Sequence, residues 1–445
     1  MRAQGHSGGR RGRTAAAAAA AAALLLGGCG LGGGDSSDKS GGKGGDSISV
    51  WFPGVNETEV DLVTHTIVPR FEKETGAKVK VTFVDWPDLS PKLNAAFAAG
   101  TAPDVFGHGP AAVADFVHND RLEPLTDYVA KLGQGDQKDM ETALPGGQVD
   151  GTQYLMPLSM QGNLLAYKEK DFEQAGLDPD KPPTTWEGVL DAAKKLTERD
   201  GDKVTHAGLL LPTSPFGLQQ TFATLLGSAG GRQISEDGRK AAFNSPEGVR
   251  ALTYFVGTYQ GDGAVGDQLG VDYQSAPTEQ QPLVTGDASI TVMTPNVAQQ
   301  VATAEPDLGL RVMPAPGFEG GRPEAFGGAG PGLMINKDSG AKDLAWKFIA
   351  YMLSAKTSVE YTEGVGAVPA RASAATSDYV KNSPVVQQYM NNAPKFAPNP
   401  NIPAWTQVRD TLAKHLEQAV NGKVDPKEAL DAAAAEVDGI LAANG

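Results

Sequence analysis

The stretch Tyr154–Lys168 reads YLMPLSMQGNLLAYK. Two short apolar runs, Tyr154–Leu158 and Leu164–Tyr167, are split by Ser159, Gln161, Gly162 and Asn163. Each run has the length of a strand and is too short for a helix. Polar groups and a glycine between two buried strands admit two readings. One is an ordinary strand–turn–strand inside a single domain. The other is a backbone crossing from one sheet to another, which would make a hinge and the floor of a cleft.

Upstream, Ser47–Phe52 (SISVWF) alternates and is β-branched, which predicts the first strand. Asn56 and Glu59 have the spacing of a capping box. Val60, Val63, Ile67 and Phe71 follow at helical spacing, and Gly76 closes the helix. Lys78–Val84 predicts a second strand. Trp86 before Pro87 reads as loop, and Ser90-Pro91 as the start of a helix ending at Gly100. A short strand follows at Pro103–Phe106, with Gly107-His108-Gly109-Pro110 as the loop at its end. Strands alternating with helices predict parallel α/β units, with ligands outside the C-terminal ends of the strands.

Downstream the alternation continues. Thr184–Glu187 (TTWE) reads as a capping box, and Ala207–Leu211 as a strand leading into the loop Pro212–Gly217. Ala288–Met293 predicts a strand ending at Thr294-Pro295-Asn296. The glycine-rich run Phe326–Gly332 and the loop-rich Gly364–Arg371 read as second and third crossings. Two helices close the chain, Ala404–Val420 and one starting at Asp425-Pro426.

The N-terminus has a different character. Basic residues at 10–13 precede the apolar run Ala15–Leu26 and then Leu26-Gly27-Gly28-Cys29, the pattern of a secretory signal. The run is short for a permanent span. Cys29 is the single cysteine of the chain, so no internal disulfide is possible. A cysteine after Leu-Gly-Gly resembles a bacterial lipobox, which implies cleavage before Cys29 and lipidation of its sulfur. Gly30–Asp46 is nearly all Gly, Ser, Asp and Lys, a flexible tether of about 20–25 Å reach.

Across 445 residues the formal net charge is −15. The first 28 residues carry four arginines and no acid, leaving the remainder near −19. Such a surface repels nucleic acid. The six histidines form no metal-ligand spacing, and neither a phosphate-binding loop nor a G-x-S-x-G elbow occurs. No cofactor or metal is expected. Trp405 and Arg409 stand four apart at a helix start and so share a face. An indole stacks on the C–H face of a sugar, and a guanidinium donates to its hydroxyls. Trp405 reads equally well as a core residue.

Segments in this order resemble the sugar-binding proteins of bacterial ABC importers, the maltose/maltodextrin-binding class. They are FEKETGAKVKVTFVDWPDLSPKLNAAFAAGTAPDVF, MPLSMQGNLLAYK with PPTTWEGVLDAAKKLT, TGDASITVMTP, GAGPGLMINKDSGAKDLAWKFIAYMLS, GVGAVPAR and PNIPAWTQVRDTL. The resemblance implies an α/β, two-lobed periplasmic-binding-protein-like fold of type II with three hinge crossings. It places a signal peptide at 1–28 and the lipidated cysteine and tether at 29–46. Lobe 1 takes 47–159 and 331–369, and lobe 2 takes 164–325 and 373–445. The hinges fall near 159–163, 326–331 and 369–373.

It also implies a monomeric receptor that is no enzyme, anchored outside the cell and passing a carbohydrate to ABC permease subunits. Ligand-binding positions carried over are Trp405, Arg409, Gln161, Asn296, His108 and Asn56, with Trp86 and Phe216 as further candidates. His108 and Asn296 replace aromatics, which points to a short sugar rather than a long maltodextrin. The alternatives are a secreted glycoside hydrolase or lyase, and the same fold binding a non-sugar solute.

Overall fold

The computed structural model describes residues 46–444. The expected signal peptide, the lipidated Cys29 and the tether up to residue 45 lie outside the described residues.

The strand Ser47–Pro53 buries Ile48, Val50 and Phe52 on one face. It pairs in parallel with Lys78–Val84 on one side and Val105–His108 on the other. The sheet continues through Gly332–Ile335, antiparallel to Val105–His108, and ends at Met156–Pro157. Val50, Phe71 and Phe348 belong to a core over one face, and Leu93, Phe106 and Phe116 to a core over the other. This is the first lobe, and most of its strands precede the stretch Tyr154–Lys168.

The second lobe is built on Leu164–Lys168. Ile290–Met293 and Leu310–Val312 flank that strand, both antiparallel to it. Parallel bridges add Ala207 and Leu210 beside Ala288 and Thr291. Trp186, Phe222, Phe255, Leu412 and Leu430 share its core.

Between the lobes lies a small sheet of Val368–Pro369, Ser159–Gly162, Ala325–Ala329 and Phe396–Ala397, in that order. The chain therefore passes side by side through one hydrogen-bonded layer. Gly162 and Gly327 are partners across it, and the Phe396 ring covers both so closely that a Cβ at either would collide. The polar stretch 159–162 is a strand and not a turn, because neighbours pair its backbone. The glycine-rich run gives the end of one strand, Ala325–Ala329, and, past Gly330-Pro331, the start of the next, Gly332–Ile335.

Local readings shift elsewhere. Trp86 is not in a loop, since the helix runs Trp86–Ala99 with Asp85 as its cap. The aspartate accepts from the Trp86 N–H and Pro87 needs no donor in the first turn, so the start precedes Ser90. Asn56 Oδ1 accepts from Glu59 N–H at 3.1 Å. The Glu59 carboxylate does not complete the box, because it accepts from the Tyr361 hydroxyl instead. Thr185, not Thr184, caps the helix Trp186–Leu196. His108 is the last residue of its strand rather than a loop residue.

Candidate ligand-binding cleft

The parallel strands of the first lobe end along one edge, at Pro53, Val84 and His108. Trp86 stands there with 44% of its surface exposed. It lies against Gly54, whose φ of +88° excludes most side chains and whose added Cβ would sit 3.2 Å from the indole nitrogen. The His108 ring meets Trp86 edge to face at 5.9 Å and packs on Phe116 at 5.6 Å. His108 Nδ1 accepts from the Gly109 N–H at 2.9 Å. The proton therefore sits on Nε2 and is donated to Ser90 Oγ at 3.0 Å. Both ring nitrogens are engaged within the lobe, so His108 braces Trp86 rather than offering a free donor.

Burial lowers the His108 pKa to about 4. An unfolded histidine titrates near 6.5. Below that pH the unfolded chain takes up a proton that the folded chain refuses. Stability present above about pH 6.5 is therefore expected to fall by up to about 3 kcal/mol as the pH drops toward 4. Denaturant melts at pH 7.5, 5.5 and 4 on the wild type and His108→Gln check this. The variant should lack that part of the slope, and equal slopes would count against it.

On the second lobe, Phe216 opens the helix Pro215–Ser228, capped by Ser214, and is 57% exposed. The Arg409 guanidinium lies 4.2 Å from the Phe216 ring centre and bonds to Asp410 through Nε and Nη2. Trp405 differs from expectation. Its side chain is 1% exposed within the second-lobe core, and its indole N–H has no partner among the described residues. A free stacking face at 405 is thus absent here. Spacing placed Trp405 and Arg409 on one side of the helix, but that side packs inward at its first turn.

A cavity of about 420 Å³ is lined from both lobes, by Pro110 and Gly146 on one side and Gln233, Arg322, Glu324 and Asn399 among others on the second. Pro110 lies just past the strand edge that carries His108. Ala223, Leu226 and Gly227, from the Phe216 helix, form part of the opposite wall. The cavity arginines are already paired, Arg232 with Glu236 at 2.6 Å and Arg322 with Glu324 at 2.7 Å. Burial raises the Glu324 pKa while Arg322 pulls it down.

None of the eight positions singled out in the sequence lines this cavity. Gln161 is half-buried in the interlobe sheet, and Asn296 is exposed at the start of the helix Pro295–Ala304, close to Gly366. The sequence reading missed Gln233, Glu324 and Asn399. Asn399 stands immediately before the quoted segment PNIPAWTQVRDTL.

Hydrogen bonds cross between the lobes beside the cavity. Asn401 Oδ1 accepts from the Ala114 N–H at 3.0 Å, and its Nδ2 donates to the Gln148 carbonyl at 2.9 Å. Asp115 Oδ1 accepts from the Ala404 N–H at 3.0 Å. Ala404 has no capping side chain and a φ of +58°, so a carboxylate from the other lobe caps Trp405–Val420. Ala111 packs on the second-lobe core.

Two α/β lobes, a shared crossing sheet and a cavity walled by both define a two-lobed binding protein. The chain belongs to the bacterial extracellular solute-binding proteins, whose family model matches residues 55–358. It is a receptor for a solute and not an enzyme. The sn-glycerol-3-phosphate-binding periplasmic protein UgpB of Escherichia coli is 25% identical over 363 residues, 76% of this chain and 80% of that protein. A solute-binding protein of Thermotoga lettingae, bound with alpha-D-tagatose, is 25% identical with a TM-score of 0.74, covering 89% of this chain and 99% of that one. The cyclic alpha-maltosyl-1,6-maltose binding protein of Arthrobacter globiformis is 25% identical with a TM-score of 0.76, covering 89% and 98%.

Proposed function

We propose that the protein captures a short, neutral sugar in the cavity between its lobes and delivers it to the permease of an ABC importer. The lipid on Cys29 and the tether keep it near the membrane. The observation that carries this reading is the cavity itself, walled by both lobes and of a volume typical of small-molecule sites, about 300–1,000 Å³. Its amides suit hydroxyls, which both give and accept hydrogen bonds. Trp86 and Phe216 are exposed on the two lobes but do not line the cavity, so its polar groups carry the recognition. The small sheet serves as the hinge. A ligand touching both lobes favours the arrangement that brings them together, and the permease reads that arrangement.

Two relatives bind sugars, by their names, and UgpB binds a phosphorylated polyol. A phosphate calls for uncompensated positive charge, whereas Arg232 and Arg322 already face Glu236 and Glu324. Calorimetry with D-tagatose, maltose and sn-glycerol 3-phosphate tests this. Heat saturating at one equivalent with a neutral sugar is expected. Tight binding of sn-glycerol 3-phosphate with no sugar response would overturn it, and heat that never saturates would point to turnover.

A further inference from the structure

Gln219 is fully buried on the helix Pro215–Ser228, in an otherwise largely apolar run. Its Nε2 donates to Gln233 Oε1 at 2.6 Å and to Asn399 Oδ1 at 2.9 Å. Both acceptors lie in the cavity wall. One amide thus ties together a helix, the turn after it and the segment entering Trp405–Val420. Gln219 Oε1 is buried with no donor among the described residues.

We propose that Gln219 is a positioning residue that sets which hydrogen-bonding groups the cavity offers. The inference rests on reading that cavity as the sugar site. Turning all three amides over would preserve their mutual contacts but leave two buried N–H groups of Gln219 without partners. The arrangement seen leaves a single carbonyl unpaired. Buried N–H groups are left unpaired less often than carbonyls, which favours the arrangement seen. With both carbonyls held from behind, Gln233 and Asn399 turn their NH2 groups to the ligand. From the same lobe, Arg322 binds Glu324 Oε2 through Nε and Nη2, and Oε1 lies over Gly227. The second lobe therefore offers donors from the two amides and an acceptor from Glu324, which orients a polyol by its oxygens at the first and its hydroxyl protons at the second.

Gln219→Glu tests this without changing shape. A carboxylate cannot donate, so Gln233 and Asn399 must rotate to give it their N–H groups and present carbonyls to the cavity. Affinity for D-tagatose or maltose, whichever the wild type binds, is expected to fall about 10- to 100-fold, with the folded signal retained. Gln219→Met covers the case in which a buried carboxylate unfolds the protein. It frees both amides and should weaken the same sugar about 3- to 10-fold. In sugar-free, amide-labelled protein, Gln219→Glu should slow hydrogen exchange of the Gln233 and Asn399 side chains, an effect that loss of packing alone does not produce. A folded variant that binds as the wild type does, or unchanged exchange at both amides, overturns the proposal. If the wild type binds neither sugar, the sugar reading has failed, and the exchange measurement still decides the role of Gln219.

Discussion

Trp405→Ala is expected to cost on the order of 3–5 kcal/mol of stability, the range for emptying a buried aromatic site. The indole is 1% exposed and shares a core with Val408, Leu412 and Phe222. Sugar affinity of the protein that stays folded at low temperature should change far less. Trp405→Phe should cost less than alanine, because it keeps most of the volume and removes an N–H that has no partner among the described residues. Such an orphaned donor is itself worth about 1–3 kcal/mol against the fold. Denaturant melts beside calorimetry separate the two roles. Unchanged stability with lost affinity would restore Trp405 as a stacking platform.

Asp115→Ala carries the second large effect, on binding rather than on folding. Asp115 accepts from the first free N–H of a helix in the other lobe. Caps of this kind contribute about 0.5–2 kcal/mol, and a carboxylate at a helix N-terminus adds about 0.3–1 kcal/mol. The contact joins surfaces that separate when the lobes part. Removing it should therefore weaken sugar binding by about 5- to 30-fold, mostly through faster dissociation. Asp115→Asn, which keeps an acceptor, should lose less. Stopped-flow dissociation measures both. Equal rates for wild type and alanine variant would mean that the bond persists when the cleft is open.

Much of the fold was readable in the residues. Parallel units followed from the first strand and Lys78–Val84 being separated by the helix that Gly76 closes. Glycines and polar groups interrupting apolar runs suggested places where the chain passes between lobes. What a single stretch could not show is that these interruptions would pair with one another as strands, since their partners lie far off in sequence. The site was harder to read. Helical spacing tells which residues share a side but not whether that side faces core or cleft, and Trp405 shows the cost of that gap. Gln219 did leave a signal, as a glutamine inside PFGLQQTFATLLGS, where a polar side chain must find partners. Its partners, Gln233 and Asn399, lie 14 and 180 residues away along the chain.

The crossing sheet has one more implication. Since Ser159–Gly162, Ala325–Ala329 and Val368–Pro369 are adjacent strands of it, no single cut of the polypeptide yields a self-sufficient half. A protease nick at an exposed loop would leave two pieces still interwoven, held by the strands they exchange. Splitting the gene at such a loop offers a route to reassembly from separately produced fragments, with recovered sugar binding as the sign that both halves have found each other.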